Sequence, residues 1–344
     1  MFKKLLLFLF VIILLAAAFV GWRFFTSATA FDEKSKYLYI ASDKASYDHL
    51  LKTITDSQFV ESPGSFDFLA RQLDLDEKVK AGRYEIKKDM SLSDIVRMLR
   101  NGRQSPVNLV ITKLRTKENL ASLIGRKLEC DSASVMKYFN SPDSMKKFGL
   151  DTGTVMAMVF PNTYTYFWNS DPAAVLDKLH KEYEKVWTPE RTSQAKQHGL
   201  TPLTAYTVAS IVEEETNDRE DKGNITSVYL NRVNKGMPLQ ADPTVKFALR
   251  DFGLKRLYEK HLLVESPYNT YRNKGLPPGP ICTPSLQTLD AVLQSPVTNY
   301  LYFVAKSDFS GKSVFSETYD EHILKARQYH QALNEEQKKR DANR

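Results

Sequence analysis

The sequence contains few of the residues that mark metal and thiol chemistry. Two cysteines and six histidines occur among its 344 residues. Cys130 and Cys282 lie far apart without CxxC spacing, and the histidines are scattered without the spacing of metal ligands. This pattern argues against a zinc site and a thioredoxin-like redox site, so we predict neither a metal nor a cofactor. We expect two unpaired, buried thiols, although an exported protein could form a disulfide between them.

Motifs of several other functional classes are also absent. The sequence has no glycine-rich phosphate loop, no HExxH motif and no GxSxG motif. Its net charge of +7 comes from interspersed lysine and arginine, without an arginine-rich run or an aromatic-basic RNA-binding motif. Such a charge permits contact with anionic polymers or membrane surfaces, but it does not indicate a nucleic-acid partner.

One long apolar run is present, at the N-terminus. Lys3 and Lys4 precede eighteen residues, Leu5 to Trp22, which are long enough to cross a bilayer as one helix. The lysines favour a cytoplasmic N-terminus, so the body of the protein is expected outside the cytoplasm. Ala28-Thr29-Ala30 also fits a signal-peptide cleavage site. We favour a retained single-pass anchor in the cell (inner) membrane, because the run is longer than a usual signal core.

The remaining sequence predicts an α+β protein with two folded regions. We assign a cytoplasmic stub and transmembrane anchor to residues 1–24, a tether and small module to 25–105, and a larger mixed α+β domain to 106–344.

Short strands and capped helices are predicted in the small module. Tyr37–Ile40 and Ala81–Ile86 have the pattern of strands. Helices are expected at His49–Leu51, at Phe66–Leu75 with Ser65 as a candidate cap, and at Ser91–Gly102. Two short strands around helices in this order resemble a LysM-like module, a fold that holds amino-sugar polymers.

The most informative helix is predicted within Ala205–Asn217. At about 100° per residue, its apolar residues form one stripe, and Glu215 projects into the middle of that stripe. A carboxyl turned toward an apolar face loses hydration, so its pKa rises and it stays protonated near neutral pH, as a general acid must. The alternative is an ordinary acidic helix end, with Glu215 exposed or paired with a basic residue.

Two long segments without helical or strand periodicity follow, at residues 236–245 and 266–281. They are rich in proline and in polar and aromatic side chains. Ordered loops of this length are uncommon unless they bind something, although a structural crossover is the alternative.

At these residues the chain resembles the MltG (YceG-like) family of endolytic murein transglycosylases. Order and spacing agree over most of residues 160–325. The matching segments are Ala209–Thr216, Ser227–Arg232, Leu239–Val245, Tyr268–Tyr271, Gly275–Ile281 and Tyr300–Ala305. Asn162 stands where an acidic residue of the family is expected, so we assign that position no charge-dependent role.

The resemblance implies cleavage of the β-1,4 bond between N-acetylmuramic acid and N-acetylglucosamine within glycan strands, without water and with 1,6-anhydro ends. The family's catalytic glutamate falls on Glu215, which would serve as acid and then as base. Glu213, about 160° around the helix, is expected to orient the neighbouring loops. The residues expected to contact substrate are Gln240, Asp242, Thr244, Tyr268, Asn269 and Thr270.

The resemblance also implies peptidoglycan strands and the membrane as partners, with peptidoglycan synthases nearby. Two other functions stay open from the residues themselves. A non-catalytic glycan-binding protein would use the same loops, and a muramidase-type hydrolase would use Glu215 as acid and Asp242 as base.

Overall fold

The computed structural model describes residues 7–12, 14, 21 and 25–342. Most of the predicted anchor, Leu5 to Trp22, lies outside these residues. Within them, no helix combines the length and the apolar character needed to cross a membrane.

The chain forms two compact units. The first contains the described residues up to Leu109, together with Ile124–Asp131 and Thr165–Asp171. The second contains Val110–Leu123, Ser132–Tyr164 and the described residues from Pro172 onward. Both mix helices and strands, as the predicted α+β class requires. The predicted domain limits at residues 24 and 105 stay predictions.

The first unit is built on two antiparallel strands, β1 (Ser35–Ile40) and β2 (Gly82–Lys87). Leu38 lies opposite Tyr84 in the register, and both are buried, whereas Tyr39 points to solvent. This alternation is the one that a half-buried strand requires. Helices α1 (Tyr47–Asp56) and α2 (Pro63–Gln72) connect the strands, and α3 (Leu92–Asn101) follows β2. The element order is the predicted one; the LysM-like fold stays a prediction.

Serine caps fix where two of these helices begin. Ser91 accepts a hydrogen bond from the Asp94 amide, and Gly102 ends α3 with a φ of 67°, as predicted. The predicted cap Ser65 is wrong. Helix α2 begins at Pro63, because the Ser62 side chain accepts from the Ser65 amide and proline fits the first helical turn, where its missing N–H costs nothing.

The second unit is mainly helical. Strands β3 (Val107–Ile111) and β4 (Asn162–Tyr166) pair with each other and, like α4 (Lys117–Lys127), contribute residues to both units. The second unit's remaining helices and strands are, in order, α5 (Ser132–Phe139), α6 (Pro142–Lys146), α7 (Pro172–Val186), α8 (Pro189–Gln197), α9 (Pro202–Glu215), α10 (Arg219–Asn234), α11 (Asp242–Leu249), α12 (Glu259–Leu262), α13 (Leu286–Leu293), the antiparallel pair β5 (Tyr302–Ala305) and β6 (Ser313–Ser316), and α14 (Tyr319–Ala342).

Helix α9 runs through the core of this unit. Thr201 and Thr204 form a reciprocal capping box at its start, and Pro202 occupies the first turn. Every residue from Ala205 to Val212 is buried, and the helix packs against α8, α10, α11 and α13. The sequence predicts one buried apolar stripe on this helix. In the structure, residues 205–212 are buried on every side of the helix, so the buried surface is wider than predicted.

The two cysteines are free thiols. Cys282 is buried, as expected, whereas Cys130 is only partly buried. Burial raises the pKa of both thiols, so both hold little of the reactive thiolate at neutral pH.

Candidate active site

Glu215 is the last residue of α9, and its carboxyl is enclosed by protein although the residue keeps some exposed surface. Burial raises the pKa of this carboxyl to about 7, and the negative charges of Asp242 and Glu214 act in the same direction. The hydrogen bond from Tyr229 and the positive charge of Lys246 oppose the shift without cancelling it. The raised pKa predicted from the helical pattern is thus confirmed, and Glu215 has no ion pair within the described part of the chain.

Tyr229 fixes the orientation of this carboxyl. Its hydroxyl donates to Glu215 Oε1 at 2.7 Å, and its ring is buried in α10. One carboxyl oxygen is therefore occupied by a protein donor, and Oε2 is the oxygen that remains for proton transfer. The sequence predicts a helix from about Lys222 to Lys235 with Tyr229 on its buried side, but no sequence signal pairs Tyr229 with a carboxyl fourteen residues away.

Glu214 points to a different group of partners. Lys113 Nζ lies 3.2 Å from Oε1, and Arg115 Nη2 lies 3.0 Å from Oε2. Both cations come from the segment between β3 and α4. Each oxygen of the Glu214 carboxyl is therefore paired with one cation.

The Glu213 carboxylate is held inside the protein by hydrogen bonds and an ion pair. Its Oε2 accepts from Ser285 at 3.1 Å and from Thr288, and Lys222 Nζ lies 3.3 Å away. Burial alone would raise the pKa of Glu213, but the Thr288 hydrogen bond and the Lys222 charge outweigh it and lower the pKa. Glu213 thereby links α9 to α10 and α13. Its partners are helix residues and not residues of the two loops, so the expected orientation of those loops by Glu213 stays a prediction.

The predicted loop residues divide into two groups. Gln240 and Asp242 are exposed at the start of α11, and Tyr268 is partly exposed. Asp242 Oδ1 accepts from the Tyr271 hydroxyl at 2.6 Å, and its charge acts on Glu215. Of these three residues, Asp242 is the one whose charge acts on Glu215, and its exposed side chain is accessible to a substrate.

The second group, Thr244, Asn269 and Thr270, is completely buried. The Thr270 hydroxyl lies 2.8 Å from that of Thr244 and accepts from the Ala241 amide at 3.1 Å. The side-chain amide nitrogen of Asn269, Nδ2, donates to the carbonyls of Leu262 and Val264 at 2.9 and 2.8 Å. These polar groups already have partners inside the protein. Thr244 and Thr270 join the two loops, and Asn269 ties the second loop to the residues that precede it.

The backbone joins the same two loops. The Gln240 amide donates to the Thr270 carbonyl at 3.1 Å, and Gln240 adopts a φ of 52°, the left-handed region that non-glycine residues rarely occupy. Strained backbone of this kind is found mainly where the surrounding structure fixes it, often near functional sites. The loop beside α11 is therefore held in one shape.

The chain is similar to known proteins over most of its length. A model of the YceG-like family matches residues 39–328. The chain is 32% identical over 274 residues to a Bacillus subtilis protein named endolytic murein transglycosylase, a match that covers 74% of each chain. A Streptococcus pneumoniae protein of the same name is 27% identical over 349 residues; the match covers 91% of this chain and 62% of that relative.

A solved structure supports the same relationship. The 2.6 Å crystal structure of a YceG-like protein from Listeria monocytogenes aligns with a TM-score of 0.56 and 28% identity, over 85% of this chain and 99% of that one. The family match extends from β1 into α14 and includes Glu215, Tyr229 and both loops. The chain therefore belongs to the YceG-like family.

Proposed function

We propose that this protein is an endolytic peptidoglycan lytic transglycosylase that cleaves the bond between N-acetylmuramic acid and N-acetylglucosamine and leaves 1,6-anhydro ends. The proposal rests on the protonation of the Glu215 carboxyl. Burial raises the pKa of this carboxyl to about 7, and Glu215 lies beside two polar loops that are hydrogen-bonded to each other. Relatives named endolytic murein transglycosylase support the reaction class.

The first step is proton donation. A carboxyl with a pKa near 7 is about half protonated at neutral pH, so Glu215 can give its proton from Oε2 to the glycosidic oxygen. The bond from that oxygen to C1 of the muramic acid breaks, and positive charge develops on the sugar ring. Tyr229 stabilises the carboxylate that forms, because its hydroxyl already donates to Oε1.

The second step returns the proton. The Glu215 carboxylate takes the proton from the C6 hydroxyl of the same muramic acid, and the C6 oxygen bonds to C1 to close the 1,6-anhydro ring. Glu215 is protonated again, and no water is consumed. One carboxyl performs both transfers, so the site needs no second carboxylate at a fixed separation, unlike a two-carboxylate glycosidase.

The surrounding residues have supporting roles in this proposal. Gln240, Asp242 and Tyr268 contact the hydroxyl and acetamido groups of the sugars. Glu213, Thr244, Asn269 and Thr270 are positioning residues that hold α9 and the two loops.

The test is Glu215→Gln on isolated peptidoglycan strands. The amide keeps the shape of the side chain but cannot donate and recover a proton, so we expect release of anhydro-ended fragments to fall by at least about a thousandfold. The matched control is Glu259→Gln, which changes an exposed glutamate on α12 and should leave cleavage unchanged. Anhydro-ended products at the wild-type rate from the Glu215 variant would refute the proposal.

A hydrolase is the second candidate, favoured by the exposed Asp242 carboxylate whose charge reaches Glu215. In that reaction Asp242 activates a water and the products carry reducing muramic acid ends. Mass spectrometry separates the two outcomes, because the ends differ by one water. Asp242→Asn should abolish hydrolysis but should leave anhydro products if the lytic mechanism holds.

We also propose that residues 5–22 anchor the protein in the cell (inner) membrane, with the two units on the outer side, near peptidoglycan synthases. The apolar run and its preceding lysines support this location. The first unit would hold the strand as a LysM-like module. If the anchor sets the cutting position, a variant lacking residues 1–24 should give fragments of a different length distribution from the same strands.

A further inference from the structure

A small cavity lies beside the candidate catalytic glutamate, and the proposed reaction does not use it. Its volume is about 130 Å³, or roughly four times the 30 Å³ that a water molecule occupies in the liquid. A short acidic chain fits this space, whereas a length of glycan strand does not. The cavity is lined by the charged residues Arg115, Glu214 and Lys246 and by apolar atoms that include those of Phe247, Phe252 and Ile281.

The cavity is adjacent to the reacting carboxyl. Glu214 directly precedes Glu215 in α9, and the charge of Lys246 acts on the Glu215 carboxyl. A ligand group in the cavity would thus belong to the sugar that is cleaved or to a substituent on it.

Positive charge is in excess here. Each oxygen of the Glu214 carboxylate faces one cation, Lys113 at 3.2 Å and Arg115 at 3.0 Å. Among residues 25–342, the Lys246 ammonium has neither an ion pair nor a hydrogen bond. The nearby Asp242 carboxylate lies outside the cavity lining and accepts from Tyr271. The cavity lining therefore contains two cations, Arg115 and Lys246, and one carboxylate, which is already paired with Arg115. Lys246 is left without an anionic partner among residues 25–342.

The apolar part of the wall is fixed by packing. The Arg115 guanidinium lies 5.0 Å from the centre of the Phe252 ring, which orients it toward the cavity, and the Phe247 ring packs 4.7 Å from that of Tyr268. A small cavity with a mainly polar lining and an unpaired cation suits an anionic group such as a carboxylate.

We infer that this cavity binds a carboxylate of the peptide stem carried by the muramic acid whose bond is cleaved. The inference rests on the proposed function, since it assumes a peptidoglycan substrate. The peptide is attached to the same sugar that donates C1 to the scissile bond, and its carboxylates are the negative charges of an otherwise neutral glycan strand. Lys246, with Arg115, would then select strands that still carry their peptides.

The test measures binding and cleavage separately in the full chain. Binding is measured by calorimetry with a muramyl peptide whose carboxylates are free and with the same molecule converted to amides. A charge-assisted hydrogen bond predicts that the free acid binds about tenfold more tightly or better. Lys246→Met should remove this difference, and the control Lys235→Met, at an exposed lysine after α10, should keep it.

Cleavage gives the second readout. The ratio of kcat/KM for strands with free peptide carboxylates to that for strands whose peptide carboxylates are converted to amides should be about tenfold in the wild type and close to one in Lys246→Met. The ratio cancels any effect of Lys246 on the Glu215 pKa, because both substrates meet the same acid. Equal binding of acid and amide by the wild type, or an unchanged preference in Lys246→Met, would overturn the inference. Preferential binding of the acid without any cleavage would instead contradict the proposed function alone.

Discussion

Tyr229→Phe isolates the one hydrogen bond that the protein donates to the candidate catalytic carboxyl. The substitution removes a hydroxyl 2.7 Å from Glu215 Oε1 and keeps the buried ring. This bond lowers the pKa of Glu215, against the larger effect of burial. A hydrogen bond to a charged group contributes about 1.5–3 kcal/mol, and one pKa unit corresponds to about 1.4 kcal/mol. The pKa of Glu215 should therefore rise from about 7 by about one to two units.

The pH profile of kcat/KM reports this change. The general acid must be protonated, so activity falls as the pH rises through the Glu215 pKa. In Tyr229→Phe this alkaline limb should move to higher pH by about one to two units. The rate at the plateau should fall about tenfold or more, because the carboxylate formed in the first step loses its donor.

A matched variant separates this effect from the loss of any buried hydroxyl. Tyr206 is also completely buried, and its hydroxyl donates to the Val159 carbonyl without touching Glu215. Tyr206→Phe should leave the alkaline limb in place. Carboxyl NMR of labelled glutamate gives the same pKa without cleavage. If the limb of Tyr229→Phe stays fixed or moves to lower pH, the hydrogen bond does not set the pKa and the reasoning fails.

Three further predictions concern stability. Lys222→Met removes the buried cation beside Glu213 and should cost about 3–5 kcal/mol in urea unfolding; the double variant with Glu213→Gln should recover much of that loss. Thr270→Val removes the hydroxyl that accepts from the Ala241 amide, and it should cost about 1–3 kcal/mol and reduce cleavage without shifting the pH limb. Glu215 has a raised pKa in the folded protein, so its contribution to stability is complete below pH 4.5 and is lost as the pH rises through about 7. Between those limits the wild type should lose about 3 kcal/mol relative to Glu215→Gln, as measured by unfolding at pH 5 and pH 9.

The local parts of the structure were the predictable ones. The Ser91 cap and Gly102 stop of α3 involve neighbours in sequence, and so does the prediction of a helix that carries Glu215 among apolar residues. Such features depend on backbone geometry within one or two turns. The misplaced cap at Ser65 has a local cause as well, since the serine and proline immediately before it provide a better start.

Contacts between distant segments were not predictable from periodicity. Thr244 and Thr270 look like exposed polar loop residues in the sequence, but they bond to each other across twenty-six residues. The sequence pattern of the two loops shows that their side chains are polar. It does not show which hydroxyl groups hydrogen-bond to each other. Likewise, Arg115 and Lys246 carry no motif, and their convergence on one cavity depends on how α11 and the segment before α4 pack against the end of α9.

The three consecutive glutamates show why position on the helix cannot by itself identify a catalyst. Glu213 receives hydroxyl donors and a buried ammonium, and Glu214 receives two cations, so both are compensated as carboxylates. Glu215 receives one neutral hydroxyl and lies at the helix C-terminus, where unpaired backbone carbonyls disfavour negative charge. The cations near this helix end pair with Glu213 and Glu214 and form no ion pair with Glu215. The fold thus raises the pKa of one glutamate while it supplies ionic partners to the other two, and substitutions that free Lys113 or Arg115 from Glu214 should act on Glu215 at a distance.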